Sequence, residues 1–246
     1  MDRHAVVTGG GHGLGESIAE TLRKAGCKVT ITGRNEAVLE KTAARLDARY
    51  RVMDVSDPES VRVGFEAIGQ VDILVNNAGS VTTAPFSQLS LDNWEKTISV
   101  NLTGPFLCSQ AVFAGMLSRR WGRIINIAST GSLAPYRYVA AYVAAKHGVI
   151  GLTRALAIES AGRGVTVNAV CPGYSDTEMV RSGLVTIAEK TNRSLDEAKA
   201  ELVKNNPLGR LIEPEEVAQA VLWICQSSSD AFTGQSLVIA GGEIMH

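Results

Sequence analysis

Short apolar runs alternate with helix-forming stretches from one end of this chain to the other, and that rhythm leaves few folds open. The apolar runs lie at residues 5–8, 28–32, 49–53, 71–76, 123–128, 165–170 and 236–239. Between them, residues 16–25, 36–48, 58–68 and 215–226 carry apolar side chains at helical spacing. Strands that alternate with helices pair in parallel and are covered on both faces. The Val- and Ile-rich runs are nearly continuous, as strands buried on both sides require. The expected fold class is therefore α/β, a doubly wound parallel sheet with helices on both faces. No repeat, low-complexity tract or linker divides the 246 residues, so residues 1–246 are expected to form a single dinucleotide-binding and catalytic domain.

One region departs from the rhythm. Residues 176–211 contain no strand candidate, and residues 178–190 and 194–205 read as helices, the second with Ser194 and Glu197 spaced as a capping box. An excursion of this size that leaves a strand at the ligand-binding edge is expected to be a substrate lid. Met179, Val180, Leu184, Val185 and Ile187 would cover an apolar substrate or simply dock the helix. Arg181, Lys190, Arg193, Lys199 and Lys204 would attract a phosphopantetheine arm or form a solvated face balanced by Glu189, Asp196, Glu197 and Glu201.

The first apolar run opens into Thr8-Gly-Gly-Gly-His-Gly-Leu-Gly15, followed by a helical pattern. Glycines at Gly9, Gly11, Gly13 and Gly15 let the backbone turn sharply and approach a pyrophosphate, and the N–H groups at the helix start, from His12 and Leu14 onward, meet its charge. About twenty residues further on, an acidic side chain would bind the ribose of NAD. Here Gly33 occupies that place and Arg34 follows, so a guanidinium is available for a 2′-phosphate. NADP(H) is the favoured cofactor, and NAD(H) stays open as the alternative. His12 has two readings, phosphate contact or plain exposure.

A second constellation carries the chemistry. Tyr142 and Lys146 stand four residues apart in an Ala-rich run and would share a helix face. A free phenol titrates near pH ~10, and an adjacent ammonium is expected to lower that value. Ser129 ends an apolar strand, where it would face the same helix. Three polar groups then converge on one carbonyl oxygen, a site for alcohol–ketone chemistry.

Composition excludes several classes. A formal net charge of −1 argues against a nucleic-acid face. No apolar run reaches the length of a bilayer span and no secretory signal is visible, so no membrane partner and a cytoplasmic location are expected. Cys27, Cys108, Cys171 and Cys225 are scattered and form no CxxC or Cys/His cluster, so no metal and four buried reduced thiols are expected.

Read together, these residues resemble the short-chain dehydrogenase/reductase family over essentially the whole chain. The matching elements, in order, are Thr8–Gly15, Asp54-Val55, Asn76-Asn-Ala-Gly79, Asn101, Ser129, Tyr142-Val-Ala-Ala-Lys146, and Pro172-Gly173 with Thr177. The resemblance implies a Rossmann-type sheet and assigns roles. Asp54 would bond the adenine, with Val55 beside it; Asn76 would steady the central sheet, and Ala78 and Gly79 would wall the adenosine ribose. Asn101 would be a fourth catalytic member in a kinked helix, holding a water in the proton relay. Ser129 would orient the substrate oxygen, Tyr142 act as general acid/base, and Lys146 bond the nicotinamide ribose. Pro172, Gly173 and Thr177 would hold the nicotinamide. Asn126-Ile-Ala-Ser-Thr-Gly131, Ala145-Lys-His-Gly-Val149, Asn168-Ala-Val-Cys-Pro-Gly173 and Pro207-Leu-Gly-Arg210 are most similar to 3-oxoacyl thioester reductases and polyketide ketoreductases.

The expected reaction is NADPH-dependent reduction of a ketone, a 3-oxoacyl thioester linked to CoA or a carrier protein, to the secondary alcohol. The alternative is an NAD-dependent secondary alcohol or 3-hydroxyacyl-CoA dehydrogenase. An epimerase or dehydratase on a related fold would carry a larger C-terminal substrate domain than residues 240–246 supply, and a non-catalytic dinucleotide sensor would tolerate loss of the Ser129, Tyr142 and Lys146 set. Tyr136, Tyr138, Ser132, His147 and Cys171 lie near the active groups, with pocket-lining, secondary or packing roles expected. Small residues at Ala140, Ala141, Ala144, Ala145, Gly148 and Gly151 allow close helix packing, and the resemblance implies a homotetramer, with a dimer as the alternative.

Overall fold

All seven apolar runs become strands of one parallel sheet. The computed structural model describes residues 1–245, and within it the side chains of Met179, Ile187 and Lys190, three of the expected lid residues, lie outside the described residues. The strands are β1 (His4–Thr8), β2 (Lys28–Gly33), β3 (Arg49–Val52), β4 (Ile73–Asn76), β5 (Gly122–Ile127), β6 (Val165–Pro172) and β7 (Ser236–Ile239), and their order across the sheet is β3-β2-β1-β4-β5-β6-β7. The winding reverses between β1 and β4, which opens a crevice at their carboxyl ends. Central strands β4, β5 and β6 are buried along their whole length. Edge strand β3 is exposed throughout, and its Arg49 and Arg51 discourage pairing with another chain.

Helices cover both faces, as successive side chains of each strand demand. Val7, Ile31 and Ile125 point to one face, where they meet Ile18 and Leu22 of α1 (Gly13–Lys24), Leu39 of α2 (Glu36–Leu46) and Val217 and Val221 of α9 (Pro214–Cys225). Val6, Leu74, Ile124 and Val167 point to the other, where they meet Phe65 of α3 (Pro58–Ile68), Cys108, Val112 and Met116 of α5 (Gly104–Arg119) and Ala157 of α6 (Ala140–Glu159). Helix α1 starts three residues earlier than its polar pattern implied, because the glycine turn itself supplies the first helical turn. Helix α3 begins where expected, with Asp57 accepting from the Glu59 amide and Pro58 in the first turn.

The expectation that no stretch matches a bilayer span needs correction. Helix α4 (Leu91–Ile98), a π-helical turn at Ser99–Thr103 and α5 run on as 29 residues, within which an 18-residue window reaches mean hydropathy 1.2, long and apolar enough by those two measures. Its apolar content has another use here, since Cys108, Val112 and Met116 are buried against the sheet and Asn101 is buried at the π turn. Beyond β6 come α7 (Glu178–Thr191) and α8 (Leu195–Val203), the latter with the expected Ser194–Glu197 capping box. Among the described residues, the strand pairing in this region is an isolated bridge between Ser175 and Ile212 that closes its base.

Candidate active site

The glycine turn after β1 is built for close backbone approach. Gly9 has φ +63°, and a Cβ there would lie 2.9 Å from the Ala78 Cα; a Cβ at Gly15 would lie 2.2 Å from the Gly9 carbonyl oxygen. The turn is tied to the end of β4 by Asn77, whose side-chain amide donates to the carbonyls of Thr8 (2.9 Å) and Gly9 (3.1 Å). The Thr8 hydroxyl accepts from the backbone amides of Asn77 and Ala78, both at 3.0 Å. A cradle that any Cβ would fill, at the amino end of α1, fits a pyrophosphate.

A cavity of about 800 Å³ extends from this cradle across the carboxyl ends of β1, β4, β5 and β6. Of the residues expected at the site, Gly9, His12, Gly13, Leu14, Gly15, Gly33, Arg34, Asp54, Val55, Ala78, Gly79, Asn101, Ser129, Tyr142, Lys146, Pro172, Gly173 and Thr177 all line it. Two do not. Gly11 faces α2, where its carbonyl accepts from Thr42 at 2.9 Å and a Cβ would meet Val38 at 3.0 Å. Asn76 is buried beneath the floor, donating to Asn126 (2.8 Å) and Ser109 (3.0 Å), a sheet-steadying position out of reach of a ligand.

At the adenosine end, Arg34 is exposed and makes no ion pair among the described residues. It shares a shallow cleft with His12, Asn35, Glu36 and Ala37. Burial pushes the Asp54 carboxyl up, but hydrogen bonds from the Ser56 hydroxyl (2.6 Å) and amide (2.9 Å) outweigh that and hold it below the usual carboxylate range.

At the reacting end, Ser129 stands just past β5 and its Oγ accepts from the Gly131 amide at 3.0 Å. Ser132 serves the secondary role expected of it, its buried hydroxyl accepting from the Ser129 amide at 3.0 Å. The Tyr142 side chain on α6 lies close by, since a Cβ at Gly131 would sit 3.4 Å from Ser129 Oγ and 3.6 Å from the Tyr142 ring, and both residues line the cavity. Lys146, one turn on, is buried; its Nζ lies 5.6 Å from the centre of the tyrosine ring and donates to the Ile127 carbonyl at 2.7 Å. Asn101, in the π turn, donates to the carbonyls of Ser80 (2.8 Å) and Thr97 (2.9 Å). A Cβ at Gly79 would lie 2.9 Å from Asn101 Oδ1 and 3.8 Å from Lys146 Nζ, so glycine there lets the two polar groups share one wall.

The expected acidification of the phenol is not what this geometry produces. Burial pushes the Tyr142 pKa up, against the lowering effect of Ser129, and burial pushes Lys146 down to about 8. The ammonium is directed at the Ile127 carbonyl and not at the phenol, so the cost of desolvation governs both groups.

Other neighbours fall into place. Tyr136 and Tyr138 line the cavity. His147 is exposed and bonds the Val143 carbonyl at 2.9 Å. Cys171 is buried, which raises its thiol to about 11, and all four cysteines are free and buried. Among the described residues no cluster of His, Cys, Asp or Glu could hold a metal. Sequence reasoning missed the clamp made by Asn77, which differs from its neighbour Asn76 only in pointing up from the strand end. It also missed Thr130 and Tyr174 in the wall and Glu243 behind it.

Comparison with known proteins agrees with this geometry. Acetoacetyl-CoA reductase of Shinella zoogloeoides is 39% identical over 99% of both chains. The 3-oxoacyl-[acyl-carrier-protein] reductase of Aquifex aeolicus is 38% identical over 97% of this chain and 96% of its own. A crystal structure of an actinorhodin polyketide ketoreductase variant with NADPH superposes with a TM-score of 0.93 at 37% identity, covering 98% of this chain and 97% of the other. The model of the short chain dehydrogenase family matches residues 3–186. With its glycine cradle, its Ser129–Tyr142–Lys146 set and relatives this similar end to end, the chain belongs to the short-chain dehydrogenase/reductase family.

Proposed function

We propose that this protein reduces a ketone, a 3-oxoacyl thioester linked to CoA or to a carrier protein, to the secondary alcohol with NADPH. The observation that carries the reading is the convergence of Ser129 and Tyr142 on one wall of the cavity, with Lys146 one turn away, at the end opposite the glycine cradle. The named activities of the relatives and the NADPH of the solved neighbour support it. The unpaired Arg34 supports a 2′-phosphate. Glu36 in the same cleft is the observation that favours the second reading, an NAD-dependent alcohol or 3-hydroxyacyl-CoA dehydrogenase.

NADPH, when bound, supplies the hydride. The chain supplies position and proton. Gly9, Gly13 and Gly15 with Asn77 shape the phosphate cradle, and Asp54 and Arg34 face the adenosine end. The Ser129 hydroxyl takes its own hydrogen bond from Gly131 as an acceptor, so its proton is free to hold the substrate oxygen. Tyr142 delivers its proton to that oxygen as negative charge develops there. A phenol whose pKa is raised is a proton donor at neutral pH, which suits reduction. Lys146 holds a cation beside this wall, and Asn101 braces it through Ser80 and Thr97. Pro172, Gly173 and Thr177 close the nicotinamide end.

Residues 176–211 serve as a lid in this reading. Val180, Leu184 and Leu202 line the cavity, whereas Val185 is exposed. Arg181 and Lys204 are taken up by Asp176 and Glu201, which leaves Arg193 and Lys199 as the lid cations without a described ion pair. Self-association as a tetramer or dimer belongs to the same proposal, but the small residues of α6 are partly used inside the chain. Ala141 and Ala145 are buried, and a Cβ at Gly148 would lie 2.8 Å from Leu102. Exposed Phe106 on α5 and Ile158 on α6 are the apolar groups left for a partner copy. Four buried free thiols fit a reducing, cytoplasmic compartment.

The test is acetoacetyl-CoA reduction with NADPH and NADH side by side, in the parent protein and in Tyr142→Phe. NADPH should be preferred, and the variant should lose at least ~10²-fold in kcat. A strong NADH preference selects the second reading, and full turnover by Tyr142→Phe overturns both.

A further inference from the structure

The chain's last turn places a carboxylate behind the substrate wall. After β7, Gly241 (φ +62°) and Gly242 (φ +89°) fold the tail back, and the Glu243 amide donates to the Ala240 carbonyl at 3.1 Å. The Glu243 side chain then lies beside Gly173, just past the end of β6, where a Cβ would sit 3.0 Å from its Oε2. Its Oε1 is 2.5 Å from the phenol oxygen of Tyr136. Tyr136 is also 2.9 Å from the Thr130 hydroxyl and packs edge-on against Tyr174, ring centres 6.2 Å apart.

This trio is part of the substrate wall. Tyr136 and Thr130 line the cavity together with Ser129 and Tyr142. The rings of Tyr136 and Tyr142 flank Gly131, where a Cβ would sit 3.7 Å from the first and 3.6 Å from the second.

Proton counting fixes what this wall offers. The Tyr136 phenol has one proton and two neighbours that could accept it. A carboxylate is the stronger acceptor and has no proton to give, so Tyr136 donates to Glu243 and the Thr130 hydroxyl donates back to the phenol oxygen. The phenol keeps one lone pair for the cavity it lines and has no proton left for it. Burial, and after it the Glu243 bond, push the Tyr136 pKa above its ordinary value, so the phenol stays protonated and the arrangement holds at neutral pH.

We propose that Glu243 is a positioning residue that acts through Tyr136 to select ketones carrying a hydroxyl near the reacting carbonyl, because the Tyr136 phenol next to Tyr142 can accept a hydrogen bond and has no proton to donate. The proposal rests on the ketone-reductase reading above and narrows its substrate class to hydroxylated ketones.

The experiment compares kcat/KM with NADPH for 4-hydroxy-2-butanone, its methyl ether 4-methoxy-2-butanone, and 2-butanone, using the full chain. The hydroxyketone offers a donor where the ether offers only an acceptor, and 2-butanone reports whether each protein still folds and turns over. The parent should prefer the hydroxyketone over the ether by roughly 10-fold, the worth of one hydrogen bond. Tyr136→Phe, which removes the acceptor, should bring the ratio to about one, as should Glu243→Ala, which frees the phenolic proton for the cavity. Glu243→Gln, whose amide oxygen can take the same proton, should retain the preference. Equal rates for hydroxyketone and ether in the parent protein overturn the proposal without any variant. So does a preference that survives both Tyr136→Phe and Glu243→Ala. Inertness toward all three ketones and toward acetoacetyl-CoA overturns the reductase reading as well, whereas reduction without preference sinks this proposal alone.

Discussion

Replacing Lys146 by Met tests whether desolvation sets the electrostatics of the site. Lys146 is 5% exposed and its pKa falls to about 8 from an ordinary 10.5. The folded protein therefore binds this proton less tightly than the unfolded chain does. Below the folded value both states hold the proton, and the full penalty of burying the ammonium is present. As pH rises from about 8 toward the unfolded value, the folded state sheds the proton first and the penalty is relieved. Each unit is worth about 1.4 kcal/mol, so the penalty near neutrality is about 3 kcal/mol, and about 2 kcal/mol of it is recovered between about pH 7 and about pH 9.5. Lys146→Met carries no such term. Loss of the bond to the Ile127 carbonyl shifts the variant by an amount that does not depend on pH.

The assay is urea unfolding of both proteins at several values across that range. The stability of the parent minus that of the variant should rise by about 2 kcal/mol with pH. A difference that stays flat across the range refutes the argument, because it means the ammonium pays no burial cost that titration can release. In the proposed reaction the same group bears on turnover. Ketone reduction should hold steady below about pH 8 and decline above it as Lys146 loses its charge, and Lys146→Arg, charged throughout, should lack that alkaline limb.

Three further outcomes are expected. Gly15→Ala places a Cβ 2.2 Å from the Gly9 carbonyl and 2.5 Å from Asn77 Nδ2, so it should weaken NADPH binding by ~10-fold or more, read by fluorescence titration. Arg34→Glu puts a second carboxylate beside Glu36 in the cleft, and the NADPH/NADH ratio of kcat/KM should fall by ~10-fold or more. Asn76→Ala strips buried partners from Asn126 and Ser109 and should cost about 1–3 kcal/mol in denaturant unfolding, with the Michaelis constant for NADPH little changed because Asn76 does not reach the cavity.

The strands were legible because a parallel sheet buried on both faces writes itself as unbroken apolar runs, and no competing pattern blurs 73–76, 122–127 or 165–172. Helix starts were legible where a side chain does the capping, as at Asp57 and Ser194, and less so at α1, where glycines form the first turn. The convergence of Ser129, Tyr142 and Lys146 was legible because chain spacing carries its geometry: Tyr142 and Lys146 are one helical turn apart, and Ser129 follows a strand. Glu243 was not, since 107 residues separate it from Tyr136 and no local pattern connects a C-terminal carboxylate to a phenol in the wall.

The direction of the chemistry depends on a quantity that spacing does not encode. Two residues four apart on a helix look like an ion-assisted pair, and the sequence alone makes the phenol acidic. The fold instead buries both groups and turns the ammonium toward the Ile127 carbonyl. Desolvation then moves the two pKa values in opposite directions, the tyrosine up and the lysine down. A phenol held neutral is an acid waiting for a developing alkoxide, whereas taking a proton from an alcohol would need the phenolate that burial disfavours. In the proposed reaction, the burial that costs the protein stability at Lys146 favours Tyr142 as the proton donor, which ties the depth of the site to reduction.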